Sequence, residues 1–337
     1  MQSFAVSAQK AVTEISTRDE LEALAGQSGS FRLAADIDLS DSPWTPIPFS
    51  GTLDGSGHTI FNMTITEPAP DLVTTYDGNR RGYQTLAAGL FSKLTKAVVT
   101  DLTLLGGLVR LETESCCYAA LLAGSIEKSE IRNCSVSGRV YLNTGAPVCG
   151  VGGISGYGSG KITDCSADVE LVVIDLNPDQ KCEQFLGAVT ANGYPDIESC
   201  TVNIQGYASV HGYVHCGGLV GMHYIPNKKT EHNGYVRYNT IRGSIHFFED
   251  NDIRRAYCKA AVGEKSNDQV VVAKNDDSGF MPDEVFDYSK PLLPERCESP
   301  SLEESVVSPS VGSFGYTLHT CRFCGAAYRD TYTPPLS

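Results

Sequence analysis

Four carboxylates stand at a spacing suited to work on a glycosidic bond: Asp168 with Glu170, and Asp196 with Glu198. Residues two apart on an extended strand share a face, and glycosidases use two carboxyl groups roughly 5–10 Å apart. A polysaccharide lyase needs instead a base and a cation to neutralise charge, and no Arg or Lys cluster adjoins these four residues in the chain. The plainer alternative is that acidic side chains merely solvate a surface.

A second group of residues suits binding. Tyr207, Tyr213, Tyr224 and Tyr235 fall in a tyrosine-rich stretch, and sugar rings stack on such aromatic faces while the phenol supplies a hydrogen bond. Ordinary packing of a loop against the solenoid is the plainer explanation. His211, His215, His223 and His232 crowd the same region, although neighbouring Gly212 and Gly217 mark a turning backbone rather than a metal face. Near the C-terminus Cys321 and Cys324 have the two-residue gap of a zinc half-site, with His319 and Cys297 as further donors. Zinc, a local disulfide and free thiols are the alternatives, and no other cofactor is implied. Asp54-Gly-Ser-Gly-His58 reads as a turn.

What positions these residues is a repeat. A block of small and apolar residues recurs at Ala88–Ser92, Ala120–Gly124, Gly152–Gly156, Gly187–Ala191 and Gly217–Gly221, with a worn copy at Lys259–Gly263. After each of the first five comes a second block: Val99–Thr103, Ile131–Ser135, Ile162–Ser166, Ile197–Thr201 and Val236–Thr240. Apolar and polar residues then alternate, which is a strand signal. Two strand signals and room for a third describe one coil of a solenoid.

The middle residue of the second block is Asp101, Asn133, Asp164, Ser199 or Tyr238. Asn and Asp tolerate the left-handed backbone region better than other side chains. A left-handed corner there turns Leu102, Cys134, Cys165, Cys200 and Asn239 inward as one column, expected to be mostly reduced thiols rather than disulfides. Cys149, Cys182 and Cys216 are expected to form a second column, and vicinal Cys116-Cys117 to point one in and one out.

The net charge of −14 argues against nucleic acid, and no apolar run approaches the ~20 residues of a membrane span. Residues 1–14 read as a leader remnant. Thr17-Arg-Asp-Glu20 followed by Leu21, Leu24 and Ala25 predicts a short helix capping the first coil. Prolines 291, 294, 300 and 309 mark a linker before the Cys-x-x-Cys segment, and the abrupt end suggests a longer parent chain.

The stretch from Ile15 to Ile65, with its "FRLAADIDLS" and "WTPIPFSGTLDGSGHTIFNMTI", resembles the opening of bacterial surface proteins that carry GLUG motifs. The Gly-Gly-Leu-Val-Gly and Ile-Arg-Asn-Cys-Ser blocks are similar to the GLUG repeats themselves, and Asp71–Thr85 departs from them as an inserted loop. The segment "GYTLHTCRFCGAAYRDTYTPPL" resembles small Cys-x-x-Cys-Gly modules of large secreted proteins, but has Ser310-Val311 where the pattern carries another Cys. The resemblance implies an extracellular protein, secreted or attached to the cell wall. It carries over no catalytic residue.

The expectation is therefore an all-β, right-handed parallel β-helix over residues 15–290, a linker at 291–300 and a small module at 301–337. Its role is expected to be adhesion or glycan binding, with a glycan or another cell-surface component as partner. The alternative is a glycoside hydrolase or polysaccharide lyase on the same scaffold.

Overall fold

A computed structural model describes residues 11–77, 81–177, 182–209, 212–224, 234–247, 255–265, 270–282, 301–322, 325 and 327–336. The protein is all-β, with repeat-like parallel sheets consistent with a solenoid. The chain visits three sheets in rotation and returns to each beside its previous pass. One circuit runs through Cys117–Ala120, Ala123–Arg132 and Ser135–Thr144, and the next through Val148–Gly152, Ser155–Thr163 and Ser166–Asp175. We call the sheets first (14 strands, including Ala123–Arg132), second (nine strands, including Ser135–Thr144) and third (seven strands, including Cys117–Ala120).

Stacking in register explains why the alternating pattern repeats. Leu53, Val99, Ile131, Ile162, Ile197 and Val236 are register partners across six successive strands of the first sheet. Each is fully buried. Parallel neighbours lie about 4.8 Å apart, so like side chains pile into a continuous column. Burying each contributes about 1.5–3 kcal/mol against exposure.

The corners follow the local rule. Asp101, Asn133, Asp164, Ser199 and Tyr238 all have positive φ, between 54° and 60° apart from Asn133 at 51°. They turn Leu102, Cys134, Cys165, Cys200 and Asn239 into the core, where all five are buried. The thiols of Cys134, Cys165 and Cys200 donate to main-chain carbonyls two residues back, Arg132 at 3.3 Å, Thr163 at 3.1 Å and Glu198 at 3.5 Å. The ten described cysteines are free thiols. Cys117 faces the core and Cys116 packs half-buried on an outer aromatic cluster.

Several expectations need correction. Cys149 partners Cys117 and Gln184, whereas Cys216 partners Leu186 and Cys258. Cys149, Cys182 and Cys216 therefore do not form one column. The segment read as an inserted loop is a hairpin: Ala69–Tyr76 pairs antiparallel with Gly82–Ala88 at the edge of the third sheet. Val12–Ile15 already pairs with Ser30–Leu33, so sheet structure begins before residue 15.

Among the described residues the N-terminal helix is no more than one turn. Arg18–Glu22 makes a single turn with a capping box, in which Thr17 and Glu20 each satisfy the other's backbone N–H. Ala23 caps its C-terminal end, and Gly26 (φ +72°) then redirects the chain, giving its N–H to the Pro48 carbonyl at 2.7 Å. Leu21 and Leu24 still pack into the core.

At the other end Leu302–Val307, Gly315–Cys321 and Ala327–Thr333 form a separate antiparallel sheet. It lies against the second sheet. Asn62 bonds the Tyr332 main chain, Phe314 meets Phe61 edge-on at 5.3 Å, and the Tyr332 ring covers Gly106. Gly106 has φ +68°, and a Cβ there would sit 2.2 Å from the ring, so only glycine suits both the backbone and the contact.

Candidate functional site

Between the second sheet and the C-terminal unit lies a cleft of about 640 Å³. Its floor comes from strand alternation. In Ser135–Thr144, Ser166–Asp175 and Thr201–Ser209, register sets Ser137 beside Asp168 and Asn203, and Arg139 beside Glu170 and Gln205. These residues are half-buried or exposed while their neighbours Val136, Val140, Ala167 and Leu171 fill the core. Its roof is Phe314, Tyr316, Tyr328, Arg329 and Tyr332.

One guanidinium–ring pair spans the gap and a second lies within the roof. Arg139 lies 4.0 Å over the Tyr328 ring, and Arg329 lies 4.6 Å over Tyr316. Tyr328 is backed on the unit's own side by His319, stacked at 4.6 Å. Burial pushes the Tyr332 phenol up; Arg329 opposes this, Asp168 reinforces it and Arg139 opposes it.

The carboxylates are already held. Asp168 accepts from Asn203 Nδ2 at 2.8 Å, and Glu170 accepts from the Tyr141 hydroxyl. Tyr207, one column further along, is pushed up to about 12 by burial and then by Glu170. It stacks on His246 at 5.5 Å. No Arg or Lys cluster adjoins these acids in the chain, but register and the fold bring Arg139 and Arg329 into the same cleft. Arg139 occupies the position of Glu170 one repeat earlier, so aligning the two repeats reveals it. Arg329 arrives from the distant C-terminal strand, and nothing in the local sequence signals that.

The other expected site residues do not converge here. Asp196 and Glu198 lie on the first sheet, where Asp196 accepts from Tyr235 N–H at 3.0 Å and Glu198 pairs with Arg237 at 3.2 Å. Three of the four tyrosines lie on three different sheets, and the four make no single groove. Tyr207 is on the second, Tyr213 on the third, and Tyr235 on the first under the Arg237 guanidinium at 4.8 Å. Tyr224, only 1% exposed, is packed in the outer aromatic cluster and is closed to a ligand.

His215 is buried between Phe185 and Tyr257, with Nε2 3.0 Å from Glu183 and Nδ1 2.8 Å from Glu264. His223 is fully buried with Nε2 3.1 Å from the Pro195 carbonyl, and His211 and His232 lie outside the described residues. Cys297 and Cys324 also lie outside them. Of the remaining zinc candidates, Cys321 is buried and His319 is engaged by Asp330 at 2.7 Å and Glu304 at 3.5 Å. Among the described residues no group of three or more metal-binding side chains converges. The Asp54–His58 segment is a turn, with Ser56 and Gly57 at positive φ.

No protein-family model matches the chain, and no curated protein matches it either.

Proposed function

We propose that the chain is an extracellular module of a larger bacterial surface or secreted protein, and that it binds glycan in the cleft beneath its C-terminal unit. The single observation that carries the reading is the Arg139–Tyr328 pair at 4.0 Å, set among Asp168, Glu170 and Gln205. Ligand sites of this size combine aromatic surface with a few placed polar groups. A sugar offers an apolar ring face to the tyrosines and hydroxyls to the acids and amide. The GLUG-like blocks support the extracellular assignment and a β-helix. The right hand follows from the rule that parallel strand crossovers are right-handed in about 98% of cases.

Binding without turnover is the reading we favour, because fixed donors already occupy both carboxylates. A carbohydrate-active enzyme is the second reading, favoured by Asp168 and Glu170 lining one cleft together with Arg139 and Arg329. The test is binding of the purified chain to a broad glycan array, with every hit followed by chromatography for released product. Binding that releases nothing and weakens in Tyr328→Ala supports the first reading. Product that disappears in Glu170→Gln establishes the second. An array without hits overturns both and leaves a scaffold or protein-binding role.

A further inference from the structure

We propose a second glycan-binding site on the first sheet, in a trough walled by the inserted hairpin, for a neutral oligosaccharide. Its chemistry follows the glycan reading above, but no residue is shared with the first cleft. Two hollows, about 370 and 330 Å³, meet at Ser159 and Tyr194 and so form one continuous depression. It runs beside the strands Ala123–Arg132 and Ser155–Thr163 from Ser125 to Glu130, around the bend made by Lys128 at φ 50°.

The hairpin interrupts the repeat here and supplies one wall. Its Tyr76 stands at the trough with Tyr194 from the sheet side, while Tyr157 packs beneath them in the outer aromatic cluster. Asn192 ties the hairpin down by donating to the Tyr76 carbonyl at 2.9 Å, so the wall is fixed to the sheet. Gly158 and Gly160 have φ of +144° and +141°, and a Cβ at either would lie within 2.0 Å of a carbonyl oxygen on the neighbouring strand. Glycine is required at both positions, and neither puts a side chain into the depression.

Charge selects the class of ligand. Lys93 pairs with Glu127 at 2.9 Å, and Lys161 is flanked in register by Glu130 and Asp196. Cations and anions thus alternate along the lining, which gives donors and acceptors in turn and no net attraction for a polyanion. Phenol rings with alternating donors and acceptors match a neutral chain of sugar hydroxyls. The depression falls within the size range of ligand sites.

The experiment is calorimetric titration of the full chain with cellohexaose, xylohexaose and mannohexaose. It compares the wild type with Tyr194→Ala, Lys161→Ala and Tyr328→Ala. Lys161 is exposed, so its variant reports on binding without a burden on folding. We expect at least one probe to bind, with a loss of about tenfold in Tyr194→Ala, a smaller loss in Lys161→Ala, and no change in Tyr328→Ala. Affinity that responds only to Tyr328→Ala overturns this site and leaves the first cleft standing. Failure of all three probes also overturns it, while the first cleft is judged by its own array. Binding that survives Tyr194→Ala and Lys161→Ala places the ligand elsewhere and has the same consequence.

Discussion

Asn62 grips the main chain of Tyr332 from both sides: its Nδ2 donates to the Tyr332 carbonyl at 3.0 Å, and its Oδ1 accepts from the Tyr332 N–H at 2.8 Å. Asn62 itself sits in the left-handed region with φ 59°. One side chain near the start of the chain thereby holds the roof of the cleft.

Replacing Asn62 by Gly keeps that backbone conformation and removes both bonds. Two hydrogen bonds of this kind contribute about 1–3 kcal/mol together. Hydrogen exchange should quicken across Ala327–Thr333 and stay slow in Thr103–Thr113. Gly106→Ala should do the same by a different route, since its methyl group displaces the Tyr332 ring. Unchanged exchange in both variants would show that other contacts dock the unit.

His215 makes stability depend on pH. Burial lowers its pKa, but Glu183 and Glu264 together outweigh burial and raise it above the ordinary histidine value. A raised folded-state pKa contributes stability that is fully present below the unfolded value, about 6.5, and is lost as pH rises through the folded one. Thermal midpoints should therefore fall between roughly pH 6.5 and the folded pKa. His215→Phe, which keeps a ring between Phe185 and Tyr257, should remove that part of the slope. A profile identical to wild type would mean that the imidazole is not charged in the fold.

The core thiols should be inert. Burial pushes Cys117 up to about 12 and Cys149 well above the usual thiol range. Iodoacetamide at pH 8 should leave both unmodified in the native chain and label them after unfolding, as read by peptide mass spectrometry. Native labelling would show that the sheets open. Cys165→Ser exchanges a thiol for a hydroxyl amid buried sulfur and should cost about 1–3 kcal/mol in urea unfolding.

Backbone handedness at the corners can be tested alone. Asp164 is exposed, at φ 54°, so its side chain contributes little to the core. Asp164→Val forces a β-branched residue into that region and should cost about 1–2 kcal/mol, whereas Asp164→Gly should be close to neutral. Equal losses in the two would show that the aspartate is needed for its carboxylate instead.

Much of the architecture is legible in the amino-acid sequence, because it rests on local rules. Strand alternation, the recurring blocks and the left-handed corners each depend on a few adjacent residues. Asp101, Asn133 and Asp164 announce their corners by type; Ser199 and Tyr238 do so only by position in the repeat. Register is less legible. Cys182 and Cys216 look equivalent to Cys149 in the sequence, but Cys182 falls just before its strand, where Gln184 pairs with Cys149, and Cys216 pairs with Leu186.

The candidate site is half legible. Asp168 and Glu170 share a face because alternate residues of one strand must. Asp196 and Glu198 look like the same pair one coil later, yet they lie on another sheet, since the corner at Ser199 comes after them and the corner at Asp164 comes before Asp168. What the sequence determined by itself, then, was the strand alternation, the corners and the inward column from Leu102 to Asn239, all governed by short-range sterics and alternation. Only the tertiary structure decided that Tyr328 and Arg329 close over Arg139, because that depends on one long-range docking event between Asn62 and Tyr332, which no local propensity encodes.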